Sequence, residues 1–96
     1  MTLDNFVGEI QKYLPVVIDK TKVVHNHVTG YYSIVINRMR FQAVRMDRQY
    51  SWGVFLIDEQ SPIAIYGDCF EDAIRQFIKG CTTSTLLHYL GDGYKA

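Results

Sequence analysis

The stretch from Tyr31 to Met46 constrains this chain most. It is β-prone throughout and holds neither glycine nor proline; run straight, it would reach ~53 Å. Strands in globular proteins usually end near ~20 Å, so a chain of 96 residues has to fold this segment back on itself. The polar run Asn37-Arg38-Met39-Arg40 is where it can turn. The reading is a strand over 31–36, with Tyr32, Ile34 and Ile36 on one face, and a second over 41–46. Asp47-Arg48-Gln49 turns the chain into a third strand over 50–57. There Tyr50, Trp52, Val54 and Leu56 lie on one side and Phe55 and Ile57 on the other. Apolar side chains on both sides predict a central strand at least partly covered on both faces. Asp58-Glu59-Gln60-Ser61-Pro62 reads as a loop, and 63–66 as a short strand after it.

Helices flank this run. Leu3, Phe6, Val7, Ile10, Tyr13 and Leu14 recur at helical spacing, predicting an amphipathic helix over 3–14 capped by Thr2 and stopped by Pro15. Residues 16–28 read as short β-prone pieces, Val16-Val17-Ile18 and Val23-Val24, around a polar turn. A second helix is expected over 69–79, with Asp68 as N-cap, Glu71 completing a capping box, Gly80 after its end and an outward Glu71–Arg75 pair. Thr82-Thr83-Ser84 opens a short last helix carrying Leu86, Leu87 and Leu90, which Gly91 ends. The fold class is therefore α+β over a single domain, 1–96: a three- to four-stranded antiparallel sheet with helices before and after it.

Composition narrows the function classes. Hydrophobic content of 48% with 21% charged residues fits a folded domain. Ten basic and ten acidic side chains cancel, which argues against a bulk polyanion binder. No apolar run approaches the ~18 residues of a membrane span. The start, Met1-Thr2-Leu3-Asp4, lacks the basic and apolar regions of a signal peptide. Cys69 and Cys81 lie at the two ends of the second helix, roughly 18 Å apart and too far to bridge. Unbridged thiols and the missing leader make the cytoplasm the expected compartment.

The catalytic and metal-binding chemistries find little to build on. His25 and His27, at i and i+2 in a strand, share a face, but no third ligand stands at zinc spacing, so no metal or other cofactor is expected. Cys69 falls at a helix start, where a thiol can be activated, yet no base is placed beside it, and a buried small side chain explains it more simply. Asp58, Glu59, Asp68, Glu71 and Asp72 cluster, but turn and cap roles account for them. No phosphate-cradling glycine loop or nucleophile motif is present, and the chain is read as non-enzymatic.

The charge layout is uneven. Arg38, Arg40, Arg45 and Arg48 crowd together with one acid, Asp47, among them, interleaved with Phe41 and followed by Tyr50 and Trp52. Arginine forks carboxylate or phosphate and stacks on aromatics. These six residues, Arg38, Arg40, Arg45, Arg48, Tyr50 and Trp52, form the expected partner-binding site. Three readings stay open: an acidic protein surface, RNA or single-stranded nucleic acid, and a solvated hairpin whose arginines pair with the chain's own 58–72 acids.

Residues 50–79 resemble the HicB-like antitoxin fold, where a strand and acidic turn lead to a second strand, then Gly-Asp, a small residue and an acidic helix start. The matching residues are Tyr50-Ser51-Trp52-Gly53-Val54-Phe55 and Tyr66-Gly67-Asp68-Cys69-Phe70-Glu71-Asp72-Ala73. The resemblance implies a small protein that binds a toxin, although residues 81–96 are too few for the DNA-binding segment often found beside that unit. The helix–three strands–helix order also resembles the double-stranded RNA-binding domain, but the acidic start of the second helix would repel phosphate. The resulting expectation is an interaction protein that regulates or inhibits a larger protein with an acidic surface, antitoxin-like or encoded by a mobile element. Nucleic-acid binding through 38–52 is the alternative. Leu86, Leu87 and Leu90, on so short a helix, offer a homodimer contact.

Overall fold

The computed structural model describes residues 1–46, 51–61 and 64–95, with Ser51 described by its backbone alone. Helix α1, Leu3–Tyr13, begins where the Thr2 hydroxyl accepts the Asn5 backbone N–H at 3.2 Å, and ends as Leu14 turns extended ahead of Pro15. A 3₁₀ turn, Lys20–Lys22, follows, capped by the Asp19 carboxylate. That carboxylate takes the Thr21 hydroxyl at 2.6 Å and the Thr21 N–H at 3.0 Å, bonds that hold it below its ordinary range.

Five strands come next: β1 Val24–Asn26, β2 Tyr31–Ile36, β3 Met39–Met46, β4 Ser51–Asp58 and β5 Ala64–Gly67. They form one antiparallel meander in chain order. The expected three or four strands become five because Val24–Asn26 pairs with β2. Val16, by contrast, makes only an isolated bridge to Tyr94. The β2–β3 hairpin turns on two residues, and Asn37 takes the positive φ of 55° that such a tight turn requires. Helices α2, Phe70–Ile78, and α3, Thr83–Leu90, complete the chain with a 3₁₀ turn, Gly91–Gly93.

The helices gather on one face of the sheet. Phe6 of α1 stacks on Tyr32 of β2 and meets Phe70 of α2 edge-on, each at 5.5 Å between ring centres. Ile34, Ile36, Met39, Phe41, Ala43, Val54 and Leu56 point into this layer and are buried, with Ile74, Phe77, Leu86 and Leu90 above them. The accessible surface, 5988 Å², is close to the ~5,700 Å² expected for a folded chain of this mass.

Three expectations need correction. Asp68 does not cap α2: the N-cap is Cys69, which contributes no side-chain bond, and the Asp68 carboxylate instead accepts the Tyr66 hydroxyl at 3.2 Å. Cys69 is exposed rather than buried. Leu86 and Leu90 fill the chain's own core, which leaves Leu87 alone facing outward. The Glu71–Arg75 pair forms as expected, at 2.8 Å.

Candidate interaction surface

The arginine-rich hairpin closes on the chain itself. At the β2–β3 turn, Arg38 Nε and Nη2 donate to the two carboxylate oxygens of Asp58, at the end of β4, at 3.0 and 2.7 Å. This fork is the geometry that favours arginine over lysine. The Asp58 carboxylate also accepts the Gln60 N–H at 2.9 Å. The guanidinium, helped by that backbone bond, holds the Asp58 carboxyl below its ordinary value of 3.8. The remaining Arg38 nitrogen, Nη1, lies 2.8 Å from His88 Nε2, and the guanidinium stacks on the Tyr89 ring. An arginine can only donate, so in this contact the His88 nitrogen is the acceptor. Asn37 Nδ2 donates to the His88 and Tyr89 carbonyls at 3.1 Å. The turn is thereby a clamp on the last turn of α3.

Arg40 pairs with Glu59, the next acid along. Arg45 has the opposite parity on β3: it lies across from Trp52, exposed, and its Nη2 donates to the Val28 carbonyl at 2.9 Å. Trp52 itself packs toward Tyr32, 5.9 Å between ring centres. Arg48 and Tyr50 lie outside the described residues. The expected single ribbon of guanidinium groups is thus not what the described residues form. Two of the four arginines are matched to the 58–59 acids, as the internally paired reading anticipated, and Arg40 and Arg45 leave opposite faces of the strand.

The sheet face turned away from the helices is the feature that was missed. The registers place Val24 and Asn26, then Tyr31, Ser33 and Val35, then Arg40, Gln42, Val44 and Met46, then Gly53, Phe55 and Ile57, then Ala64 and Tyr66 on it. No helix covers this side among the described residues. Val24 is 64% exposed, Val35 46%, Met46 42% and Tyr66 48%, values high for large apolar groups in a strand. Phe55 and Tyr66 lie 5.2 Å apart, and with Met46 they lean over Gly53. A Cβ there would sit 3.2 Å from Met46 Sδ and 3.3 Å from the Tyr66 ring, so the glycine is what lets them close into one apolar patch. The one formal charge among these side chains, Arg40, is neutralised by Glu59. The sequence signal was present in Phe55 and Ile57 on the second side of β4. Apolar side chains there predict cover on both faces, at least in part, whereas every helix among the described residues lies on the other face.

The histidines, the cysteines and the 58–72 acids are placed as follows among the described residues. His25 and His27 do come together, rings 4.8 Å apart, with His27 Nδ1 3.3 Å from the Tyr32 hydroxyl, and both stay exposed. No group of three metal-ligating side chains occurs among the described residues. Met39, Leu56, Ile65, Phe77, Cys81 and Tyr89 line a cavity of about 160 Å³ beside Asp58. The only carboxylate there is already committed to Arg38 and Gln60. No helix described is long and apolar enough to cross a membrane. Comparison with family models, with curated proteins and with solved structures finds no match to this chain.

Proposed function

We propose that this chain is a non-enzymatic interaction protein, antitoxin-like in its logic, that binds and regulates a larger protein through the open face of its sheet. The observation that carries the reading is that face: five strands wide, with Val24, Val35, Met46 and Tyr66 exposed on it, Arg40 paired with Glu59, and no covering layer among the described residues. Exposed apolar patches of more than a few hundred Å² are rare on monomers and mark contact surfaces. Tyrosine, methionine and phenylalanine are enriched in interface cores, while charge is depleted there. Pairing of Arg38 and Arg40 with acids of the same chain moves the contact away from the hairpin. It also weakens the nucleic-acid alternative, since phosphate binding relies on uncommitted cations.

The test compares two variants that keep the fold by circular dichroism. Val35→Asp places a charge in the open face, and Arg45→Glu reverses one on the hairpin. The expected result is that a larger protein recovered with the parent chain, nuclease-treated, is lost with Val35→Asp and kept with Arg45→Glu. The reverse pattern, or loss on nuclease treatment alone, overturns the reading.

A further inference from the structure

We propose that the cavity between the sheet and the α2–α3 pair is a binding site for a small neutral aromatic molecule with one hydroxyl donor, a phenol in its simplest form. The cavity lies on the helix side of the sheet, so the site is separate from the open face and stands whether or not that face meets a protein.

Size is the first argument. The cavity measures about 160 Å³, and an apolar cavity of about 150 Å³ in another protein stays dry and holds one benzene molecule. Close-packed interiors keep few voids larger than a water molecule, because the lining of an empty one loses its dispersion contacts on that side. Met39, Leu56 and Phe77 form a buried floor. Ile65 of β5, Cys81 between the two helices and Tyr89 of α3 are half-buried, which makes them the rim by which a ligand enters.

The walls suit a ring. Phe77 and Tyr89 stand 5.6 Å apart between ring centres, inclined at 72°. Rings at that angle offer both a face and an edge, the two partners an aromatic guest prefers. Met39 and Cys81 add sulfur, which packs well against aromatic edges. The Cys81 thiol donates to the Phe77 carbonyl at 3.0 Å, so it brings no free donor to the wall.

The polar element is an acceptor. Asp58 borders the same space and is only 5% exposed. Its Oδ1 accepts Arg38 Nε and the Gln60 N–H, whereas Oδ2 accepts Arg38 Nη2 alone among the described residues. The two oxygens of a carboxylate offer about four acceptor places, so Oδ2 has room for one more donor. A hydroxyl fills that place and a purely apolar guest leaves it empty. An anionic guest finds no donor to receive it, since Arg38 and Cys81 already donate elsewhere.

Chemical-shift titration of the purified, nitrogen-labelled chain tests this with phenol, toluene and benzoate as probes. Phenol is expected to bind saturably at one site and to move the amides of Ile65, Cys81 and Tyr89 most. Toluene, nearly the same size but without the donor, binds about tenfold more weakly, the worth of one hydrogen bond to a charged acceptor. Benzoate does not bind. Cys81→Leu carries a larger side chain into the cavity and abolishes phenol binding with circular dichroism unchanged. Should that variant fail to fold, Ile65→Phe fills the space from β5 and gives the same loss. Phenol shifts that do not saturate, or that persist in the filled variant, overturn the proposal. So does toluene binding as tightly as phenol, which would leave Asp58 without a part in recognition.

Discussion

Asp58 shows how one side chain can carry more of a fold than its sequence neighbourhood suggests. It stands at the end of β4 and is nearly fully buried, yet it remains charged because Arg38 forks it and Gln60 adds a backbone bond. Its carboxyl titrates below 3.8 when folded and near ~3.9 when unfolded. A depressed folded value means the pair stabilises fully above the unfolded value and is lost as pH falls through the folded one. Melting temperature is therefore expected to drop as the pH goes below about 4. Asp58→Asn should melt lower than the parent at pH 7 and show a flatter acid limb, though not a level one, because Asp19 shifts in the same direction. A parent and variant with parallel acid limbs would show that the pair does not contribute. Asn37 is the second such residue. Asn37→Gly keeps the positive φ but loses the two bonds to α3, whereas Asn37→Ala loses both and also the turn conformation. Urea denaturation should rank alanine below glycine by roughly 1 kcal/mol.

Among the elements, α2 sits hard against the end of β5. A Cβ on Gly67 would lie 2.9 Å from the Ala73 backbone nitrogen and 3.0 Å from the Cys69 carbonyl oxygen. Backbone cannot yield as a flexible side chain can, so Gly67→Ala is expected to cost ~1–3 kcal/mol in chemical denaturation. Gly80→Ala would meet nothing in space but would be strained at its φ of 78°. Helices α1 and α2 were legible in the sequence because each carries an apolar stripe at helical spacing and stops at a residue that cannot continue it. Strands β2 and β3 followed from the impossibility of a single straight one. The cap of α2 was not legible: Asp68 and Glu71 have the right spacing, but Tyr66, two residues away on β5, captures the carboxylate, a contact that only strand geometry reveals. Strand β1 was legible in part: Val23-Val24 read as β-prone and His25 and His27 as strand residues sharing a face, but that three exposed residues pair with β2 has no local signal.

Across the whole molecule, what escaped the sequence is the one-sidedness of the sheet. Alternation identified which side chains share a face, but no periodicity says that α1, α2 and α3 all choose the same one. The four arginines appeared as a patch in sequence because they are neighbours along the chain. For the three that are described, Arg38, Arg40 and Arg45, strand parity and the matching acids at 58 and 59 disperse them in space. The open face, by contrast, assembles Val24, Val35, Met46, Phe55 and Tyr66 from five strands, which no local window contains. That such a face is what this protein presents to other proteins is the central claim. Its most direct test is the relaxation of methyl groups by a soluble paramagnetic probe, measured on the chain in complex with the larger protein. The account predicts that the methyls of Val24, Val35 and Met46 are shielded while those of Leu87 on α3, 45% exposed in the single chain, stay accessible. Shielding of Leu87 with the three sheet residues left open to the probe would contradict it.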